Sequence, residues 1–211
     1  MAYAIVPFRE SSAAKTRLAE VLSKEQRTML TLTMLSDVLD ALSRTKGIDQ
    51  IVLVTRDTKA ARLGRKKRAH VFWEGQSRGL NAAVRRGIRF AEHEGAHQVL
   101  IVPSDVPLAR PADFRKILKA ARKNEVLIVP SHDEGGTNAL LLRPPSIMPV
   151  SYGRNSFKRH CRLALDRSLN VRVLKPRSLR LDVDNPSDLR RVRLASGNTR
   201  SQELLRRRFE C

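Results

Sequence analysis

Cysteine is nearly absent from this 211-residue chain. The two present, Cys161 and Cys211, have no metal-ligand spacing, so neither a disulfide framework nor a cysteine-ligated zinc site is suggested, and a reducing cytoplasm fits best. Aromatic residues are scarce at 4%, which argues against a stacking platform for single-stranded nucleic acid. No apolar run approaches membrane-spanning length, and the start Met1-Ala2-Tyr3-Ala4-Ile5-Val6-Pro7 lacks a basic leader region, so a soluble, unexported protein with no membrane partner is expected. Acidic residues are outnumbered: 21 Asp and Glu face 41 Lys and Arg, giving a formal charge of +20. Such a field attracts nucleic acid, anionic membranes or small polyanions such as nucleotides and phosphorylated acids. The basic residues are dense only at Arg65–Arg68 and Arg206–Arg208, so charge alone does not choose among these partners.

What is present is a regular alternation. The length suits one domain with a sizeable core. Short β-rich runs alternate with helical patterns, which predicts a mostly parallel sheet covered by helices. Strands are expected near Tyr3–Pro7, Ile51–Thr55, His70–Trp73, Gln98–Val102, Val126–Pro130, Ala139–Leu142, Val171–Leu174 and Leu179–Val183. The clearest helix opens on a capping box, Ser23 to Gln26, and carries Leu30, Met34 and Val38 on one face beside Leu35, Leu39 and Leu42. Further helices are expected over Asn81–His93, Pro111–Lys123, Asn155–Arg167 and from Pro186 onward. Residues 1–195 read as the folded domain, and the basic extension 196–211 as its least constrained part.

The chemistry concentrates where strands end. The run Gln98 to Leu108 is an apolar strand that stops on a carboxylate, Asp105, beside Pro107. Ligands of open α/β sheets bind beyond such ends, so Asp105 is placed to hold a divalent cation carrying phosphate oxygens, or else it only shapes a turn. After the first strand a small-residue loop brings Arg9, Lys15 and Arg17 to a helix start, where cations and backbone N–H groups can wrap a triphosphate. That loop lacks the glycines of both the dinucleotide fingerprint and the Walker A motif, and an exposed charged loop is the plain alternative. Asn81, following Gly79, can cap a helix or bond a base or ribose.

Two later segments carry donors for an anion. Gly135-Gly136-Thr137-Asn138 sits between two strands, where paired glycines permit close approach and Thr137 and Asn138 can donate to a carboxylate or phosphate, unless this is an ordinary hairpin turn. Gly153-Arg154-Asn155-Ser156 precedes a helix whose N-terminus can face an anion, although Asn155 or Ser156 can equally be a cap.

Taken together in order and spacing, Lys15-Thr16-Arg17-Leu18, Gly79-Leu80-Asn81, Ser104-Asp105-Val106-Pro107, Gly135-Gly136-Thr137-Asn138-Ala139-Leu140, Gly153 with Ser156-Phe157 and His160, and Leu181-Asp182-Val183-Asp184-Asn185-Pro186 resemble the 2-phospho-L-lactate guanylyltransferase family. That family includes the phosphoenolpyruvate guanylyltransferases and belongs to deazaflavin coenzyme F420 biosynthesis. Arg9 stands where a lysine is expected and Thr16 where serine is commoner, so charge and hydroxyl are kept. The resemblance implies a three-layer α/β sandwich with a mostly parallel sheet, of the nucleotide-diphospho-sugar transferase type. It implies GMP transfer from GTP to a small phosphorylated three-carbon acid with release of pyrophosphate. Asp105, with Asp184 or Asp182, would hold Mg²⁺. Arg9, Lys15 and Arg17 would neutralise the β- and γ-phosphates, with Asp105, Lys15 and Arg17 as the catalytic set. Gly79 and Asn81 would contact guanosine, and Thr137, Gly153 and Ser156 would bind the phospho-acid. A homodimer is plausible on the same ground.

Two other readings stand beside it. One is a nucleotidyltransferase of the same fold acting on a sugar phosphate or a molybdopterin, which the Gly-Gly-Thr-Asn and Gly-x-x-Ser-Phe pairing disfavours. The other is a basic nucleic-acid-binding protein that kept an enzyme fold, which leaves the acidic residues at strand ends without a purpose.

Overall fold

In the computed structural model, which describes residues 1–11, 15–75, 79–121 and 125–208, the alternation becomes a seven-stranded sheet. The strands are β1 (Ala2–Phe8), β2 (Gln50–Thr55), β3 (His70–Trp73), β4 (Gln98–Ile101), β5 (Glu125–Pro130), β6 (Thr137–Arg143) and β7 (Asn170–Val173). Their order is β3-β2-β1-β4-β6-β5-β7, and only β6 runs antiparallel to its neighbours. The helices are α1 (Lys24–Ser43), α2 (Thr58–Lys66), α3 (Leu80–His93), α4 (Pro111–Ala120), α5 (Ser156–Leu165), α6 (Pro186–Leu194) and α7 (Arg200–Arg208).

The pleat sorts the apolar residues into two cores, which is why the strand sequences are almost continuously hydrophobic. Ala4, Val6, Leu53, Leu100, Leu127 and Leu141 face α1, α2 and α4, packing on Leu35, Val38, Leu39, Leu42, Ala60, Phe114 and Ile117. Ile5, Val52, Val54, Ile101, Ile128 and Leu140 face the other way, onto Ala83, Val84, Ile88 and Ala91 of α3 and Ala164 of α5. Three layers result, as expected. Gly87 fits this packing because a Cβ there would lie 2.6 Å from Ile5 Cγ2, so α3 needs a hydrogen at that point to seat on the sheet.

The expected capping box opens α1: Ser23 Oγ accepts from Gln26 N at 3.3 Å, and Ser23 N donates to Gln26 Oε1 at 2.7 Å. Three expectations need correction. Leu179–Val183 is not a strand but a turn followed by an extended segment, whose Val183 N donates to Asp105 O at 3.1 Å; burial of Leu179 and Val183 gave it a strand's alternation without a ladder partner. The helix α2 was not foreseen, because its buried side is made of Ala60, Ala61 and Gly64 rather than large apolar groups. The helix beginning at Pro186 stops at Leu194.

The extension beyond Ser196 carries α7, which lies on α1 and α6. Asp37 of α1 accepts from Arg200 N at 3.1 Å and Ser201 N at 2.8 Å, so a carboxylate satisfies the free amides at the α7 N-terminus. Arg200 also pairs with Asp40, and Leu205 is buried in a third cluster with Leu30, Met34, Leu189 and Val192. Leu205→Ala is therefore expected to lower the unfolding free energy by roughly 2–4 kcal/mol in urea denaturation. An unchanged midpoint would show that α7 does not rest on α1 in solution.

Candidate functional site

Because six strands run parallel, their carboxyl ends share one edge, and the loops beyond them meet there. Between the ends of β1 and β4 lies a cleft of about 490 Å³. Arg9, Lys15, Thr16, Arg17, Asp105 and Asp184 all line it, together with Phe8, Arg56 and Leu80. Sequence positions up to 175 apart thus meet as anticipated, with Arg56 added; its guanidinium pairs with Glu10 at 3.0 Å on the same wall.

Lys15 is the centre of this cleft. Its backbone takes the left-handed conformation, φ 56 and ψ 47, just before a 3-10 turn over Thr16–Leu18. A lysine held there is strained by on the order of 1–3 kcal/mol, which the contacts of its side chain must offset. Leu18 anchors the turn in the third core cluster. The Lys15 ammonium donates to Asp105 Oδ2 at 2.5 Å and to Asp184 Oδ1 at 2.8 Å. Burial alone would push the ammonium down, but Asp105 and Asp184 outweigh it and hold the group charged well above its ordinary range. Arg9 and Arg17 are exposed and make no ion pair among the described residues, so their charge faces the cleft uncommitted.

The acidic side is built as carefully as the basic one. The bond from Val183 N to Asp105 O ties the Asp182-Val183-Asp184 segment to the loop after β4. Asn185 caps α6, and Asp188 accepts from the amides of Asp184 and Asn185 at 3.0 Å each, which fixes where Asp184 points. Asp182 turns the other way and accepts from Asn138 Nδ2 at 3.0 Å. Burial and the nearby charges of Asp105 and Asp184 push the Asp182 carboxyl up to about 6.

Asn138 adjoins Thr137 at the start of β6, and Thr137 leads to the second half of the site. Its hydroxyl lies 3.2 Å from Ser156 Oγ, the donor, and 3.0 Å from His160 Nδ1. Gly153, at φ +118, precedes them in a conformation that a side chain would strain. Asn155 occupies the N-cap position of α5 at φ 56 but makes no side-chain cap bond, and Ser156, the first helical residue, spends its Oγ on Thr137. Asn81 is also not a cap: Gly79 occupies that position, while Asn81 bonds the backbone of Tyr152 twice, through Tyr152 N at 2.6 Å and Tyr152 O at 3.1 Å. It bolts α3 to the loop bearing Gly153. Residues 12–14 and 76–78, which immediately precede Lys15 and Gly79, lie outside the described residues.

Asp105, Asp184 and Asp182 are hard oxygen donors of the kind Mg²⁺ prefers. Among the described residues no three His, Cys, Asp or Glu side chains converge into a cage of their own. That suits Mg²⁺, which is usually held by one or two carboxylates, with substrate phosphates and water completing the shell. The resulting arrangement is a cationic cleft with two carboxylates on its floor, joined through Asp182 and Asn138 to a pair of hydroxyls. It can bring two anions together. No helix is long and apolar enough to cross a membrane among the described residues.

Comparison with known proteins agrees with this geometry. The sequence profile of the family described as "Guanylyl transferase CofC like" matches residues 2–210. The chain is 39% identical over 196 residues to the phosphoenolpyruvate guanylyltransferase of Rubrobacter xylanophilus, covering 92% of this chain and 95% of that one. It is 35% identical over 204 residues to the 2-phospho-L-lactate guanylyltransferase of Methanothermobacter thermautotrophicus, covering 97% and 89%. A solved structure from Desulfovibrio desulfuricans, of nucleotide-diphospho-sugar transferase type, superimposes with a TM-score of 0.78 at 21% identity, covering 97% and 94%, and supports the fold alone.

The acidic cluster makes a pH-dependent prediction for the metal-free protein. The folded chain holds the Asp182 proton more tightly than the unfolded chain does. Its contribution is therefore most favourable below about pH 4 and is lost as pH rises towards and through 6. Asp182→Asn removes that loss, so above pH 6 the variant should be more stable than the parent by on the order of 2 kcal/mol, with the gap closing towards pH 4. Urea titrations of both proteins with EDTA across this range provide the check.

Proposed function

The chain belongs to the CofC-like guanylyl transferases, and from this we propose that it moves GMP from GTP to the phosphate of phosphoenolpyruvate or 2-phospho-L-lactate, in the formation of coenzyme F420. The observation that carries the reading is the Lys15 ammonium held between Asp105 and Asp184 in a cleft with Arg9 and Arg17. An acceptor phosphate oxygen attacks the α-phosphorus of GTP, a new P–O–P linkage forms, and the α–β linkage breaks to release pyrophosphate. No protein nucleophile or general base is needed, because the attacking oxygen is already ionised. Catalysis of this kind is positioning plus electrostatics.

The residues divide that work. Arg9, Lys15 and Arg17 neutralise the β- and γ-phosphates and the departing pyrophosphate, with Lys15 held in place by Asp105 and Asp184. Asp105 and Asp184 are the carboxylates that would hold Mg²⁺, with Asp182 behind them. When bound, Mg²⁺ supplies charge neutralisation between the two phosphates. Gly79 and Asn81 are the residues assigned to the nucleoside; they flank Leu80, which lines the cleft wall. Thr137, Gly153 and Ser156 hold the phospho-acid, chiefly at its carboxylate. A reducing cytoplasm is the compartment proposed.

Asp105→Asn should cut pyrophosphate release from GTP plus phospho-acid and Mg²⁺ by at least about 100-fold, since it removes charge from the centre of the site. The parent should release pyrophosphate with GTP and a phospho-acid, and much less with ATP or with sugar phosphates. Full activity in Asp105→Asn would rule out the assigned role. Equal turnover of sugar phosphates would favour the other enzymes of this fold.

A further inference from the structure

His160 is fully buried at the junction of β6, α5 and the loop before α5, and the transfer mechanism leaves it without a task. Both ring nitrogens are engaged. Ser151 N donates to Nε2 at 2.9 Å, so Nε2 carries a lone pair, and in a neutral imidazole the proton then sits on Nδ1. Nδ1 is 3.0 Å from Thr137 Oγ1 and donates to it. The Tyr152 ring packs edge-on at 4.9 Å and fixes the plane of the imidazole.

The hydrogen count has a definite outcome. His160, Thr137 and Ser156 bring three protons, one on the ring and one on each hydroxyl. Two are spent within the group, on the bonds from His160 to Thr137 and between Ser156 and Thr137. Whichever hydroxyl passes its proton on, one remains to be donated outward. With Thr137 and Ser156 both buried, that donor has few directions in which to point.

We propose that His160 is a positioning residue for the phospho-acid: its imidazole, locked as the Nδ1–H tautomer by the Ser151 amide, aligns the Thr137–Ser156 hydroxyls so that one proton meets the acid's carboxylate. This rests on the reading above that Thr137 and Ser156 hold the phospho-acid. An apolar side chain would fill the same volume but would leave the Ser151 amide unpaired and both hydroxyls free to turn. Burial, with Arg159 nearby, pushes the imidazole down to about 4, so the same tautomer persists at neutral pH.

Two isosteric halves of the imidazole separate the roles. His160→Gln keeps an acceptor for Ser151 N but loses the donor to Thr137, whereas His160→Asn keeps that donor and loses the acceptor. In pyrophosphate-release assays His160→Gln should raise KM for the phospho-acid about tenfold, the value of one hydrogen bond, with KM for GTP unchanged. His160→Asn should stay within about threefold of the parent. Thr137→Val, which leaves the imidazole in place, should raise the same KM, and adding His160→Gln should raise it little further. If His160→Gln does not fold, His160→Asn tests the inference, and a tenfold rise in the phospho-acid KM there would overturn it. Additive effects in the double variant, a shift of both KM values together, or an unchanged phospho-acid KM in His160→Gln would overturn the inference. A parent enzyme that saturates with phospho-acid confines such a failure to His160. A parent that shows no phospho-acid dependence removes the acceptor reading, and this inference with it.

Discussion

One ammonium group holds the two sides of the cleft together. Lys15 reaches from the loop after β1 to carboxylates on two other segments, the end of β4 and the start of α6. Without a cation between them, Asp105 and Asp184 would repel each other in a partly buried site, and the segment carrying Asp182 would be driven from the sheet edge. The strained Lys15 backbone, the burial of Leu18 and the bonds that Asp188 accepts from the Asp184 and Asn185 amides all serve to bring these three groups together. A buried ion pair is weak evidence for stability, because desolvation offsets much of the attraction. Its value here is geometric: it defines a point where positive and negative charge meet in the cleft at the strand ends.

The sheet supplies the frame for that point. Two closely packed faces leave the strand ends little freedom, so loops growing from them start from known positions. The antiparallel β6 matters most. Its first residues, Thr137 and Asn138, lie at the edge where parallel strands end, and Asn138 connects them to Asp182. A parallel strand in that place would have presented its last residues instead. The two hydrogen bonds between Asn81 and the Tyr152 backbone brace the same edge from the other face.

Much of this was legible in the residues themselves. Strand cores of Val, Ile and Leu, the capping box at Ser23 and the carboxylate closing the β4 run identify the sheet and its active edge. Family resemblance grouped the loops, since no periodicity links Lys15 to Asp184. What stayed hidden has physical reasons. Helix α2 packs through alanine and glycine, which carry little hydrophobic signal. Leu179–Val183 reads like a strand because Leu179, Leu181 and Val183 are apolar at every second position, two of them buried, although Leu179 lies in a turn. Asn81, Asn138 and His160 form bonds to partners 71, 44 and 23 residues away, and such pairings leave no local trace. Arg56 has only its place at the end of β2 to mark it.

The location of the acceptor elements along the chain has one more implication. Groups assigned to the nucleotide are scattered among the loops after β1 and β4 and the approaches to α3 and α6, whereas the hairpin, β6, the glycine turn and the first turns of α5 form one uninterrupted stretch, residues 131–160. On the proposed assignment, exchange of that stretch alone changes which acid is accepted while the triphosphate cleft stays as it is. On that assignment the acceptor side is one stretch of chain and the triphosphate side is gathered from several, the two joined by the Asn81–Tyr152 and Asn138–Asp182 hydrogen bonds.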